Sequence, residues 1–290
     1  MPVTVAGSVV AGLLGAAVVV GAARTWLIRA FRIQERDPRL AAPGGSETAP
    51  EGVAARVPTR RNRTLAARVF LPHPGRPVAV VVHGWGAGGA DMLVLTEPLR
   101  RAGFNAVIFD ARAHGASDDE SFASLPRFAE DTEAVMDWLA ARGLGPVALI
   151  GHSVGAGAVL LVASRRPEVA AVVALSPFSH PRPIMNTWLA AHGIRWRPVQ
   201  DALNRLVELS IGHRFDTIAP VNTIKAITAP VLIVHGTADQ TVPPWHAEAV
   251  AAARPDVPLM RLPGVGHDDT PGFTRHLDAV LGWLKGVVPG

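Results

Sequence analysis

Residues 147–165 read VALIGHSVGAGAVLLVASR. Four apolar residues, 147–150, run into Gly151-His152-Ser153-Val154-Gly155, and an apolar stretch with small residues at its start follows at 154–165. A G-x-S-x-G turn between a strand and a helix forces its serine onto a strained backbone, with the hydroxyl projecting clear of the sheet. Side chains at the flanking glycines would meet neighbouring backbone. Gly155 and Gly157 let the helix lie close to the strand. The stretch therefore predicts a strand–turn–helix unit of an α/β protein and marks Ser153 as candidate nucleophile.

A serine hydroxyl is inert without a base, and the base needs an acid to orient its second nitrogen. Eleven histidines are available, so position must choose. His267 lies in Gly264-Val265-Gly266-His267-Asp268-Asp269, after the last expected strand and before the last expected helix. Asp239 closes Val234-His235-Gly236-Thr237-Ala238-Asp239, just past another strand end. The chain order is then Ser153, Asp239, His267. His235 reads as a turn residue with structural hydrogen bonds. His73, His180, His192, His213, His246 and His276 read as surface or cap residues. Asp268 and Asp269 read as solvated loop charges, either of which could support the base.

Acyl transfer also needs donors for a developing oxyanion, and backbone N–H groups suit because they are fixed before reaction. Val154 N–H follows the nucleophile. The second donor is expected from His83-Gly84-Trp85-Gly86-Ala87-Gly88-Gly89, with Trp85 N–H as the choice. That glycine-rich run is no nucleotide loop: the chain has neither G-x-x-x-x-G-K-[ST] nor G-x-G-x-x-G opening a helix with a distant acid.

Outward from the serine turn, apolar strands alternate with amphipathic helices. Strands are expected at 53–57, 64–71, 78–82, 105–109, 147–150, 170–175, 231–234 and 258–262. Helices are expected at 91–102, 126–142, 154–165, 247–253 and 273–285. This alternation predicts a mostly parallel sheet with helices on both faces. In such sheets the site lies beyond the carboxyl ends of the strands.

The motifs His83-Gly84-Trp85-Gly86, Asp110-Ala111-Arg112-Ala113-His114-Gly115-Ala116-Ser117, GHSVG, VHGTAD and GVGHDD together resemble the α/β-hydrolase superfamily, in its bacterial esterase, lipase and serine-peptidase members. The resemblance covers about residues 53–286. It implies the α/β-hydrolase fold with Ser153 as nucleophile, Asp239 as acid and His267 as base. Relatives usually carry D-x-R-G-H-G-x-S, so Ala113 stands where they have glycine. Haloalkane dehalogenases and epoxide hydrolases of this fold use an aspartate nucleophile, which the serine here excludes. Prolyl-oligopeptidase relatives commonly use a tyrosine oxyanion donor, and this chain has no tyrosine.

Composition narrows the chemistry further. The 290 residues contain no cysteine, which removes thiol nucleophiles, disulfides and thiolate metal sites. No H-E-x-x-H occurs, and neither metal nor cofactor is expected. Net charge is +4. All basic residues but Lys225 and Lys285 are arginine, scattered without a recognition helix or aromatic–basic stripe, so no nucleic-acid partner is expected.

Residues 2–23 carry no charged side chain. As a helix these 22 residues would span about 33 Å, against a hydrocarbon core of about 30 Å. Trp26 and Arg24, Arg29, Arg32, Arg36 and Arg39 follow, and no basic residue precedes the run. The expectation is a single-pass transmembrane anchor over 1–32 in the cell membrane with the remainder cytoplasmic, a linker over 33–52, and one hydrolase domain over 53–290. Residues 177–229 are expected as a small helical cap. Its apolar residues, with neighbours of the catalytic motifs, give a candidate pocket lining of His83, His152, Phe178, Met185, Trp188, Trp196 and Val242. They equally suit anchoring of the cap to the sheet.

The function expected is a serine hydrolase cleaving carboxylic esters through an acyl-enzyme, on small or lipid-derived acyl groups. A peptidase, amidase or acyltransferase on the same residues, or a tethered non-catalytic binding protein, are the alternatives.

Overall fold

The computed structural model describes residues 3–33, 40 and 51–288, with side chains described from residue 17 onward. Eight strands form one sheet: β1 (Val53–Thr59), β2 (Arg63–Phe70), β3 (Val78–Val82), β4 (Asn105–Phe109), β5 (Val147–His152), β6 (Val169–Leu175), β7 (Val231–Gly236) and β8 (Leu259–Leu262). Their order across the sheet is β1-β2-β4-β3-β5-β6-β7-β8. β2 runs antiparallel to both β1 and β4, and all other pairings are parallel.

The helices are α1 (Val3–Ala30), α2 (Thr96–Arg101), α3 (Leu125–Ala140), α4 (Val154–Ala163), α5 (Pro181–Ala191), α6 (Arg197–Ile211), α7 (Phe215–Ile218), α8 (Pro220–Thr223), α9 (Trp245–Ala253), α10 (Thr270–Thr274) and α11 (Leu277–Val287). This is the α/β-hydrolase fold expected from the motifs. β3, with sequence VAVVV, is buried along its whole length, as a strand covered on both faces must be. One apolar layer gathers Val80, Val82, Leu149 and Val172 under α3 and α4. The other gathers Val81, Ile150, Val173 and Val234 under α2 and α11. Alternate residues of each strand thus feed opposite layers, as the pleat dictates.

Two expectations are corrected. The helix predicted over 91–102 begins as a 3-10 segment at Gly89–Leu95 and becomes α-helical only from Thr96. There the Asp91 carboxylate accepts from Gly88 N–H at 2.9 Å and ties down the entry.

The second correction concerns the amino terminus. Among the described residues no helix is long and apolar enough to cross a membrane. The transmembrane anchor, the membrane as partner, and the single-pass cell-membrane location inferred from it are withdrawn. The physical reason lies in where α1 ends. Leu27 is only 2% exposed and belongs to the protein's own core. Trp26 packs on Trp188 of α5 with ring centroids 5.4 Å apart. The segment after α1 is fixed by Ala123 N–H donating to Phe31 O at 3.2 Å. At the end of the helix Leu27 thus serves the protein interior, while Trp26 stays partly exposed. The expected linker falls largely outside the described residues. Leu40, within it, is described and is buried against the sheet beside Gly89.

Candidate active site

Ser153 sits between β5 and α4 with φ 55° and ψ −116°. This strained conformation points its side chain away from the sheet. The surroundings explain the flanking glycines. A Cβ on Gly155 would stand 2.5 Å from Val82 O and 2.6 Å from His83 O. One on Gly151 would collide with the Gly155 carbonyl. The turn therefore lies directly against the carboxyl end of β3. The amino terminus of α4 also begins at Ser153, adding a positive dipole end there.

His267 arrives on the loop after β8, and Asp239 on the loop after β7. His267 Nε2 lies 3.0 Å from Ser153 Oγ, and His267 Nδ1 lies 2.7 Å from Asp239 Oδ2. The other Asp239 oxygen accepts from Val242 N–H at 2.8 Å. His235 Nε2 lies 3.4 Å from Asp239 Oδ2 and 2.8 Å from Val242 O. Burial alone would raise the Asp239 carboxyl. The hydrogen bonds from His235, His267 and Val242 N–H overcome it and hold the group well below the usual carboxylate range. A carboxylate fixed on Nδ1 leaves Nε2 with the lone pair that faces the hydroxyl, the arrangement that lets a serine lose its proton as it attacks.

The loop after β3 passes beside the serine: a Cβ on Gly84 would lie 3.5 Å from Ser153 Cβ and 3.1 Å from His152 Nδ1. Trp85 is carried there, 42% exposed. Its ring meets His114 edge-on at 6.3 Å and Phe31 edge-on at 6.0 Å. Gly86 N–H donates to His114 Nε2 at 3.3 Å. His83 is fully buried beneath this loop. Its Nδ1 donates to Gly84 O at 2.7 Å, and its Nε2 accepts from Ala111 N–H at 3.0 Å. Burial lowers its pKa to about 4, so the ring is neutral and serves the loop's backbone. Asp110 accepts from Gly89 N–H and Ala116 N–H at 2.7 and 2.8 Å and joins the two loops. Ala113 adopts φ 66°, a conformation that glycine takes without steric cost.

The candidate pocket residues separate. His152 lines a cleft of about 310 Å³ together with His267, Asp91, Met92, Leu95, Leu175, Asp268 and Phe273. Phe178 is buried against Gly157. Val242 is buried and works through its backbone. Met185 packs on the core from α5. Trp188 stacks on His192, Trp26 and Phe31. Trp196 is 71% exposed. The apolar wall of the cleft comes instead from Met92, Val94, Leu95, Leu175 and Phe273, which sequence reasoning missed. They belong to three elements far apart in the chain, and only the fold brings them together. His246, expected at the surface, is buried with its Nδ1 2.8 Å from Ser179 Oγ.

His152 Nε2 donates to His267 O at 3.0 Å. Burial, and then the nearby His267, lower its pKa. Side-chain donors of His152, His267 and Asp268 lie within 4.8 Å of one another, a spacing that a metal ion could span. Both ring nitrogens of His267 are already engaged by Asp239 and Ser153, so the set is better matched to proton transfer than to ligation.

An eight-stranded sheet of this order, carrying a hydroxyl–imidazole–carboxylate line at its strand ends, defines a class of α/β enzymes with a serine elbow. The comparisons place the chain within it. Residues 73–211 match the family model described as serine aminopeptidase, S33. An uncharacterized protein of Mycobacterium tuberculosis is 32% identical over 237 residues, covering 78% of this chain and 76% of its own. The monoacylglycerol lipase of Mycolicibacterium smegmatis is 26% identical over 250 residues, covering 72% of this chain and 88% of its own. A Pyrococcus furiosus esterase superposes with a TM-score of 0.65 at 19% identity, over 88% of this chain and 99% of that one. The chain belongs to the α/β-hydrolase superfamily.

Proposed function

We propose that the protein is a serine hydrolase that cleaves carboxylic esters through an acyl-enzyme intermediate. The observation that carries this reading is the unbroken line from Asp239 through His267 to Ser153, at 2.7 and 3.0 Å. Ser153 Oγ attacks the ester carbonyl while its proton passes to His267 Nε2. The carbonyl oxygen takes the negative charge and is received by the N–H groups of Trp85 and Val154. His267 then gives the proton to the departing alkoxide, and the alcohol leaves. Water repeats the attack on the acyl-enzyme with the same base, restoring Ser153 and releasing the acid. Asp239 holds the imidazole tautomer and stabilises its charged form throughout.

The mostly apolar cleft beside His267 supports an apolar acyl group. The names of relatives, an esterase and a monoacylglycerol lipase, agree with ester chemistry. A cleft of about 310 Å³ lies at the lower end of the usual range of about 300–1,000 Å³ for small-molecule sites, which suits a small or medium acyl group. The test is kcat/KM across p-nitrophenyl esters from acetyl to palmitoyl. A maximum at medium length that Phe273→Ala shifts supports the reading, and the absence of turnover on every ester removes it.

A second reading is favoured by the acids of the cleft. Asp268 is exposed there beside His267, and it could receive the ammonium of an aminoacyl substrate. Amino-acid p-nitroanilides belong in the same panel. Turnover of these above the esters selects the peptidase reading.

A further inference from the structure

We propose that Phe31, on the segment that follows α1, is a positioning residue for the oxyanion loop, so that the amino-terminal helix is a working part of the active site. The proposal rests on the serine-hydrolase reading above, in which Trp85 N–H receives the oxyanion.

Trp85 lies on a glycine-rich loop, with glycine on both sides of it. Such a backbone has little conformational preference of its own and needs outside contacts to hold one geometry. The fold supplies them from two directions. From the domain, His114 meets the indole edge-on, and its Nε2 accepts from the next residue's N–H. From the amino-terminal segment, Phe31 meets the same indole edge-on, with centroids 6.0 Å apart and planes 80° apart.

Phe31 is itself held. Its ring packs on Trp188 of α5 at 5.5 Å, and Trp188 packs on Trp26 of α1 at 5.4 Å. Its carbonyl accepts from Ala123 N–H. Leu27, one helical turn earlier, is buried in the core. Arg32 pairs with Asp119 at 3.0 Å just beyond it. A chain of rings thus runs from α1 through the helical insertion to the loop that carries the oxyanion donor. Phe31 reaches the site through the Trp85 ring, so its loss is expected to show in kcat more than in KM.

Removing an edge-to-face partner loosens the loop by an amount that corresponds to about a three- to tenfold rate change. The experiment compares wild type, Phe31→Ala and Phe31→Trp on one p-nitrophenyl ester. Active sites are counted in each by fluorophosphonate labelling, and kcat is expressed per labelled site, which removes any misfolded fraction. The expected result is kcat three- to tenfold lower in Phe31→Ala with KM within twofold, and recovery of most of the loss in Phe31→Trp. Wild-type kcat per labelled site in Phe31→Ala overturns the proposal and leaves the serine-hydrolase reading intact. A wild type that neither labels nor turns over the ester removes that reading and the proposal with it. A rise in KM alone also overturns it, because that places Phe31 in substrate binding.

Discussion

The ring of His152 donates from Nε2 to the backbone carbonyl of His267 at 3.0 Å. The residue before the nucleophile thereby grips the loop that delivers the base, although 115 residues separate the two in sequence. Serine and imidazole are registered to each other through this bond as well as through their direct contact.

Replacing His152 by Ala is expected to lower kcat by about tenfold, the value of one hydrogen bond to a positioned group. His152→Gln, which keeps a donor, should recover part of it. Steady-state kinetics on one ester check this. Equal kcat in wild type and both variants would separate His152 from base positioning.

Asp239 stays ionised well into acid because His235, His267 and Val242 N–H hold it so. Asp239 should therefore contribute no carboxylate step to kcat/KM between about pH 4 and 8. Asp239→Asn removes the charge and favours the wrong tautomer, and should lower kcat by about 10⁴. A carboxylate ionisation in that pH window that disappears in Asp239→Asn contradicts the assignment.

Burial lowers His83 and His246 each from 6.5 to about 4. Between those values the unfolded chain binds more protons than the folded one, so stability falls as pH drops through that window. For fully buried His83 the contribution is on the order of 3 kcal/mol. Urea midpoints at pH 7 and pH 5 should differ, and His83→Asn should flatten the difference. An identical slope in the variant would dismiss the role of this ring.

Ala113 holds φ 66°, where an L side chain costs about 1–2 kcal/mol. Ala→Gly elsewhere usually destabilises by about 0.4–1 kcal/mol. Ala113→Gly should instead leave stability unchanged or raise it by up to about 1 kcal/mol. A clear fall in Tm contradicts the strained geometry.

Much of this molecule is written locally. VAVVV, VALI and VLIV announce buried strands, and GHSVG, VHGTAD and GVGHDD fall at the strand ends where Ser153, Asp239 and His267 meet. Each motif depends on its neighbours in sequence, so periodicity and turn chemistry disclose it. The cleft does not work this way. Met92, Leu175 and Phe273 come from separate crossovers, and their shared wall depends on how each loop turns after its strand. The amino terminus misleads for a different reason. An uncharged run such as residues 2–23 satisfies lipid and protein equally well by composition, and only the burial of Leu27 and the stacking of Trp26 and Phe31 show what the end of the helix and the segment after it meet. His235, read as a turn residue with structural hydrogen bonds, and Val242, read as pocket lining, turn out to meet Asp239, a convergence that only the folded turn discloses.

The most direct measurement is the site of covalent labelling by a fluorophosphonate, read by peptide mass spectrometry on wild type and Ser153→Ala. The account predicts one modified residue, Ser153, with loss of esterase activity in step with labelling and no label in the variant. Labelling elsewhere, or equal labelling of Ser153→Ala, would contradict the serine nucleophile on which every other role depends.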